Sequence, residues 1–390
     1  MTLFLASCGA LFVHFSGYIY VLWLLKRFLP ARHAEETSEL PRVTVLVPTH
    51  NEERYITGKL ENLLRQEYPW NLLRVIVVDG RSSDRTPDLV RGFAARNTAF
   101  PLEMLAAKEQ GKIPQLNEAL RLVDGAGIVV VSDADARVFP ETALLRLARR
   151  FLECHDVGLV GGWTVPNPAT ALEGELAYWD KENRLRHLET LAFSSSIVIA
   201  PLYAFRRGLV ERFPDDCVAD DVFISWEAHR RRLRVVYAPE VEAREERQAP
   251  TYLQLALQKF RKCHAYSTEL FRAAGSFSRL GRRMRFYLGI KLFQFFVLPW
   301  ASLGFAFGSW AVVAARGWLP WLLACAALAA SVALASSLIA PPPLRERGGL
   351  RVAAIAPTLL NFALLNTVLL LNSLLWPFWH QTSRYRKASP

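Results

Sequence analysis

Apolar residues collect in long blocks at both ends of the chain and in short runs through its middle. Residues 3–25 form an apolar block long enough to cross a bilayer. Three more blocks, at roughly 286–314, 318–340 and 352–376, read as further spans. The stretch between them alternates strand and helix signals. Residues 43–47 read as a buried strand, and Ile56, Leu60, Leu63 and Leu64 follow at helical spacing. Residues 75–78 give the next strand. Thr86-Pro87 then looks like an N-cap with proline at the first helical position, ahead of Leu89, Val90 and Phe93. A weaker strand at 102–106, a helix carrying Leu116, Ala119, Leu120 and Val123, and a strand at 128–132 complete the alternation. That order predicts an α/β fold with a doubly wound, mostly parallel sheet, plus N- and C-terminal transmembrane helices.

This divides the chain into an N-terminal transmembrane anchor (1–33), an α/β domain (34–250), an amphipathic interfacial segment (251–285), a region of about three transmembrane helices (286–380) and a basic tail (381–390). No Lys or Arg precedes the first span, whereas Lys26, Arg27 and Arg32 follow it. The positive-inside bias places the N-terminus outside and the next domain in the cytoplasm. A cleaved signal peptide fits poorly, because the basic residues lie on the wrong side of the apolar block. Tyr18, Tyr20 and Trp23 are expected at the inner interface. The linker 341–351, with three arginines, is expected to be cytoplasmic. Four spans then put the tail outside, which conflicts with its Arg384, Arg386 and Lys387.

The 47 basic residues exceed the 36 acidic ones, for a formal net charge of +11. Arg279, Arg282, Arg283 and Arg285 stand directly before an apolar block, so the excess points to anionic lipid headgroups and not to nucleic acid. In the segment 251–285, Leu253, Leu257 and Phe260 give an apolar stripe, while Lys259, Lys262 and Arg272 offer charge to headgroups. The five cysteines are scattered, without metal-ligand spacing or a disulfide framework, which suits a reducing compartment.

Carboxylates mark the strand ends. Asp79 ends one apolar run, and Asp133-Ala134-Asp135 ends another. A carboxylate at Asp79 suits a nucleobase N–H or ribose hydroxyls. Side chains two apart on an extended segment share a side, so Asp133 and Asp135 can approach one hard divalent cation, Mg or Mn, completed by phosphate oxygens. The turn Pro48-Thr49-His50-Asn51-Glu52-Glu53 supplies polar groups at the first strand end, or caps the next helix through Asn51. No Gly-x-Gly-x-x-Gly occurs in the strand–helix turns, and Gly111-Lys112 lacks the Ser/Thr of a Walker loop. Phosphate handling therefore falls to metal and basic side chains, with Lys112 and Arg261 as candidates. Asp220-Asp221 opens a helical pattern, where one carboxylate suits capping and Asp221 suits a general base.

Taken together these stretches resemble the family 2 glycosyltransferases, which have a GT-A catalytic fold, over roughly residues 41–262. The carriers are the strand and turn 43–53, Val77-Val78-Asp79-Gly80 with residues 82–86, Gly111-Lys112 with Leu116-Asn117, Ser132-Asp133-Ala134-Asp135 as the Asp-x-Asp motif, Tyr203 to Arg207, and Ala219-Asp220-Asp221. The resemblance implies inverting transfer from a nucleotide diphosphate sugar, with uracil the expected base. Pro48, Thr49, Glu52, Asp79, Lys112 and Asp133 would bind the donor. Asp133 and Asp135 would hold the metal, and Asp221 would be the base. Asp220, Gln258 and Arg261 would serve the acceptor or diphosphate.

The sequence departs from the family in two places. Asp220 stands where Glu is usual. Gln258-Lys259-Phe260-Arg261-Lys262 keeps the Gln and Arg of the processive motif Gln-x-x-Arg-Trp but ends in lysine. The expected acceptor is therefore a membrane lipid or lipid-linked glycan of a bacterial or archaeal envelope. A processive polysaccharide synthase is the alternative, and a non-catalytic transporter or lipid-binding scaffold is the alternative from another class. No protein partner is indicated.

Overall fold

The structure, a computed structural model, describes residues 1–28, 39–125, 127–339 and 355–379. They group into two compact units. One holds residues 39–125, 127–171 and 194–249, and the other residues 1–28, 172–193, 250–339 and 355–379. The linker 341–351, the tail arginines and Arg32 lie outside the described residues.

The first unit is built on strands β1 (Val43–Thr49), β2 (Leu73–Asp79), β3 (Leu102–Ala106), β4 (Ile128–Ser132), β5 (Ala136–Phe139), β6 (Val157–Pro166), β7 (Leu202–Arg206) and β8 (Arg234–Glu245). They form one eight-stranded sheet in the order β3-β2-β1-β4-β7-β6-β8-β5. Central β1 is buried at every position, which explains why it is apolar at all but Thr44 and Thr49. Its side chains alternate between two cores. Val43, Val45 and Val47 face α3 (Ile56–Leu64), α4 (Thr86–Arg96) and α6 (Ala143–Leu152). Leu46 faces α5 (Lys112–Leu120) and α8 (Asp220–Arg230).

The expected strands at 43–47, 75–78, 102–106 and 128–132 are all present. Strands β5 to β8 carried no clear periodic signal, and they bring the antiparallel pairs β4–β7, β6–β7 and β5–β8 into an otherwise parallel sheet. The α4 start is corrected by one residue: Thr86 is inside the helix and Arg85 is the N-cap. The reason is a division of labour. Asp84 Oδ1 accepts from Thr86 N at 2.9 Å, while the Thr86 hydroxyl accepts from Glu52 N at 2.8 Å.

The second unit is helical: α1 (Thr2–Phe12), a π turn (Val13–Gly17), α2 (Tyr18–Phe28), α7 (Glu173–Ala192), α9 (Tyr252–Ala274), α10 (Arg282–Phe296), α11 (Leu298–Arg316), α12 (Trp318–Leu338) and α13 (Ile355–Leu375). Four stretches are long and apolar enough to cross a membrane: Thr2–Phe28, Leu298–Arg316, Trp318–Leu338 and Pro357–Phe378. The span expected at 286–314 is corrected, because the helix breaks at Val297. Pro299 offers no N–H to the preceding turn and its ring crowds the carbonyl there. Gly304 and Gly308 bring α11 against α1. A Cβ at Gly308 would lie 2.9 Å from the Phe4 backbone, the close approach that small residues four apart allow.

The domain boundary at 34–250 did not anticipate α7, which groups with the helical unit. Its Arg186 pairs with Glu182 at 2.8 Å and Glu189 at 3.2 Å, and Tyr18 donates to Glu189 at 2.5 Å. Lys259, expected to face headgroups, is instead buried. It pairs with Glu175 at 2.6 Å and lies over the rings of Tyr178 and Trp179. Arg272 pairs with Glu269 at 2.8 Å. Leu253 and Leu257 remain 71% and 62% exposed, so the apolar stripe itself is on the α9 surface. None of the five cysteines forms a disulfide.

Candidate active site

Strand order reverses around β1, the place where open α/β sheets bind ligands beyond their carboxyl ends. Thr49 and Asp79 are register partners at the ends of β1 and β2. The two following loops interlock. Gly80 N donates to Thr49 O at 2.8 Å, His50 Nδ1 lies 2.9 Å from Gly80 O, and Ser83 N donates to Asn51 Oδ1 at 2.8 Å. Asn51 takes a left-handed φ of 54°, which asparagine tolerates well. Beneath them Gln115 Nε2 donates to both Thr49 O and Val78 O at 2.6 Å. A Cβ at Gly80 would sit 2.6 Å from that amide nitrogen, so glycine is what lets the loop close over it.

These contacts sort the expected donor residues. Pro48 and Thr49 are buried within β1, and the Thr49 hydroxyl donates to Val78 O at 3.2 Å, so Thr49 shapes the strand end. Asp79 is 6% exposed. Its Oδ2 accepts from Ser82 N at 3.2 Å, while its Oδ1 is buried without a partner among the described residues. A buried carboxylate oxygen left this way costs free energy until an N–H or O–H reaches it. Asp79 therefore fits a ligand that carries such a donor.

Asp133 and Asp135 stand on the turn from β4 to β5. Lys112 opens α5 after Gly111, whose φ of 129° excludes most side chains. Its ammonium bridges Asp133 Oδ1 at 3.0 Å and Asp220 Oδ2 at 3.1 Å. One lysine thus ties the Asp-x-Asp turn to the first turn of α8. Asp220 is buried and also accepts from Tyr203 OH at 2.5 Å. Asp221 is half-buried. Its two oxygens accept from Ala200 N at 3.0 Å and Val222 N at 2.9 Å. Burial, then the neighbouring charge of Asp220, pushes the Asp221 carboxyl up to about 6. Gln258 and Arg261 lie on α9 in the helical unit, half-buried and exposed respectively.

No group of three or more His, Cys, Asp or Glu poised to hold a metal occurs among the described residues. Asp133 and Asp135 offer two carboxylates on one turn. That donor set fits Mg²⁺ or Mn²⁺ that takes its remaining oxygens from phosphates and water.

Two residues of this site escaped the sequence reading. Arg247, just past β8, pairs with Asp135 at 3.1 Å and with Glu52. Lys59 is fully buried under the turn and donates to Ser132 Oγ at 2.6 Å and Ala136 O at 2.8 Å. Burial, then the Arg137 charge, brings its ammonium down to about 7. The one available signal for Lys59 was a lysine at a position that helical spacing puts on the buried face of α3. Lys59→Met keeps the stem and removes the donor, leaving two buried acceptors short. Unfolding followed by calorimetry is expected to show a loss of about 1–3 kcal/mol, and an unchanged transition would show that the two acceptors find other partners.

The model of the family described as glycosyl transferase family 2 matches residues 44–213. This chain carries a family 2 glycosyltransferase domain. A mannosyltransferase from Pyrobaculum calidifontis, solved in complex with GDP-Man and Mn2+, superposes with a TM-score of 0.69 at 28% identity, covering 96% of this chain and 98% of that one. The probable glycosyltransferase YdaM of Bacillus subtilis is 27% identical over 224 residues, 53% of this chain and 50% of that protein. The beta-monoglucosyldiacylglycerol synthase of Trichormus variabilis is 35% identical over 120 residues, 30% of this chain and 25% of that protein. The chain thus spans half or less of the length of these two relatives. The family resemblance read from the motifs is borne out, and the glycosyltransferase domain has the GT-A-like α/β sheet expected of it.

Proposed function

We propose that this protein transfers a sugar from a nucleoside diphosphate sugar to a membrane lipid or lipid-linked glycan, with inversion at the anomeric carbon. The observation that carries this reading is the Lys112 bridge, which couples the Asp-x-Asp turn to Asp220 in the first turn of α8. Asp79 accepts from the base or ribose. Asp133 and Asp135 hold Mg²⁺ or Mn²⁺, which when bound neutralises charge on the diphosphate. Lys112 adds a positive charge at the same place. Asp221, oriented by two backbone N–H groups, takes the proton of the acceptor hydroxyl as that oxygen attacks.

Support for a lipid acceptor comes from the four apolar helices and from the glycolipid synthase relative. The catalytic unit is assigned to the cytoplasmic face on the positive-inside argument. The family match also favours an enzyme over a transporter or scaffold. The test is a panel of uridine and guanosine diphosphate sugars, given to the purified chain with Mg²⁺ or Mn²⁺ and a lipid extract, with the lipid product identified by mass. The guanosine donors are included because the mannosyltransferase from Pyrobaculum calidifontis was solved with one. A full panel without consumption of any donor would sink this reading.

Product length is the next expectation. Lys262 is exposed and offers a point charge where a processive enzyme has a tryptophan platform. Stacking tolerates a sliding chain, because it makes little demand on sugar hydroxyls, whereas a lysine suits a lipid phosphate. One or a few sugars per acceptor are expected on sizing. A high-mass polymer would promote the processive synthase instead.

A further inference from the structure

Arg247 holds a position in the donor site that no motif assigned. Its backbone is pinned at the end of β8: the neighbouring Glu246 N donates to Asp135 O at 2.8 Å, and Glu246 pairs with Arg137 at 2.8 Å. Its side chain is 37% exposed. The guanidinium lies 5.0 Å from the Tyr55 ring centroid and pairs with Glu52 and with Asp135 Oδ2. It therefore sits on one of the two carboxylates that would receive the metal. Arginine cannot lose its proton. A divalent cation on the same carboxylate brings a second positive charge to within a few ångströms of the first. The two cations compete for Asp135 unless an anion arrives between them.

A diphosphate is such an anion, and the planar fork of arginine matches its oxygens in a way an ammonium does not. Tyr55 and Glu52 keep the guanidinium beside the turn once Asp135 is taken. We propose that Arg247 is a phosphate-binding residue of the donor site, which occupies Asp135 in the free enzyme and passes to the donor diphosphate when the metal takes that carboxylate. This rests on the donor-site reading above, and it adds a competition between side chain and metal that the reading does not require.

The experiment uses the full chain in detergent. Mn²⁺ alone is titrated by electron paramagnetic resonance. UDP and GDP, with uridine and guanosine as controls, are titrated by calorimetry in saturating Mn²⁺. Arg247→Gln is expected to bind Mn²⁺ alone about threefold tighter, since a competing cation is gone. It should bind the preferred nucleoside diphosphate about tenfold weaker, the loss of a charge-assisted contact, with nucleoside affinity unchanged. Arg247→Lys keeps the charge without the fork. It should leave Mn²⁺ affinity near wild type and recover only part of the diphosphate affinity, so it carries the proposal if the glutamine variant does not fold. Unchanged affinities in both variants would overturn the proposal while leaving the donor site standing. Equal weakening of Mn²⁺, nucleoside and diphosphate would also overturn it, as the mark of a purely structural residue. A wild type that binds neither Mn²⁺ nor nucleotide removes the donor-site reading and this proposal together.

Discussion

Asp221→Asn is expected to lower turnover by about two to four orders of magnitude, the usual contribution of a positioned general base. The amide keeps the shape of the carboxylate, and one of its atoms still accepts a backbone N–H. Basicity is what is removed. Donor affinity should survive, because the residues assigned to the donor lie at the ends of β1, β2 and β4 and at the start of α5, and Asp221 is not among them. The pH profile gives an independent check. The Asp221 carboxyl is raised to about 6 by burial and by Asp220. The base works only when deprotonated, so kcat/KM should be level above that value and fall as pH drops through it. The mutant's residual rate should lose this acid limb. Near-normal turnover in Asp221→Asn would transfer the role elsewhere, with Asp220 the next suspect. Asp220 is the weaker candidate on geometry, since Lys112 and Tyr203 already occupy its carboxylate.

Excess chelator is expected to abolish transfer, and Asp135→Ala to come close to doing so. A diphosphate leaving group develops charge in the transition state, and electrostatic stabilisation of such charge is commonly the largest catalytic contribution. With only two carboxylates on the turn, loss of one halves the protein's hold on the metal. Asp135→Ala also frees Arg247 from one partner, so its metal affinity should be read directly by titration and not inferred from activity. Full activity in excess chelator would overturn the metal assignment and leave Asp79 and Asp221 to be judged on their own variants.

The parts of this protein legible from sequence are those whose signal is local. Residues 43–47, 75–78 and 128–132 are almost wholly apolar because β1, β2 and β4 are covered on both faces. A carboxylate at the end of such a run has no apolar reason to be there, which made Asp79, Asp133 and Asp135 stand out. The motifs around them carried the family, and the apolar blocks carried the spans. The later strands were harder, because β5 has four residues and β7 is inserted antiparallel between β4 and β6, strands that both precede it in the chain.

Tertiary structure alone decided the rest. Arg247 meets Glu52 across 195 positions of chain, a distance no periodicity spans. Lys59 and Lys259 are lysines on amphipathic helices, a residue type that is ordinarily exposed. Each is buried because a distant partner, the Ser132 and Ala136 oxygens or Glu175, supplies what water would otherwise give. Helix α7 lies inside the sequence of the catalytic region yet belongs to the helical unit, where its Glu189 accepts from Tyr18 of α2. Sequence thus determined which strands and spans form and where charge is placed against the apolar pattern. Which charges pair, and so which remain available for a ligand, was settled only by long-range packing, because an ion pair's value depends on how far both partners are removed from water.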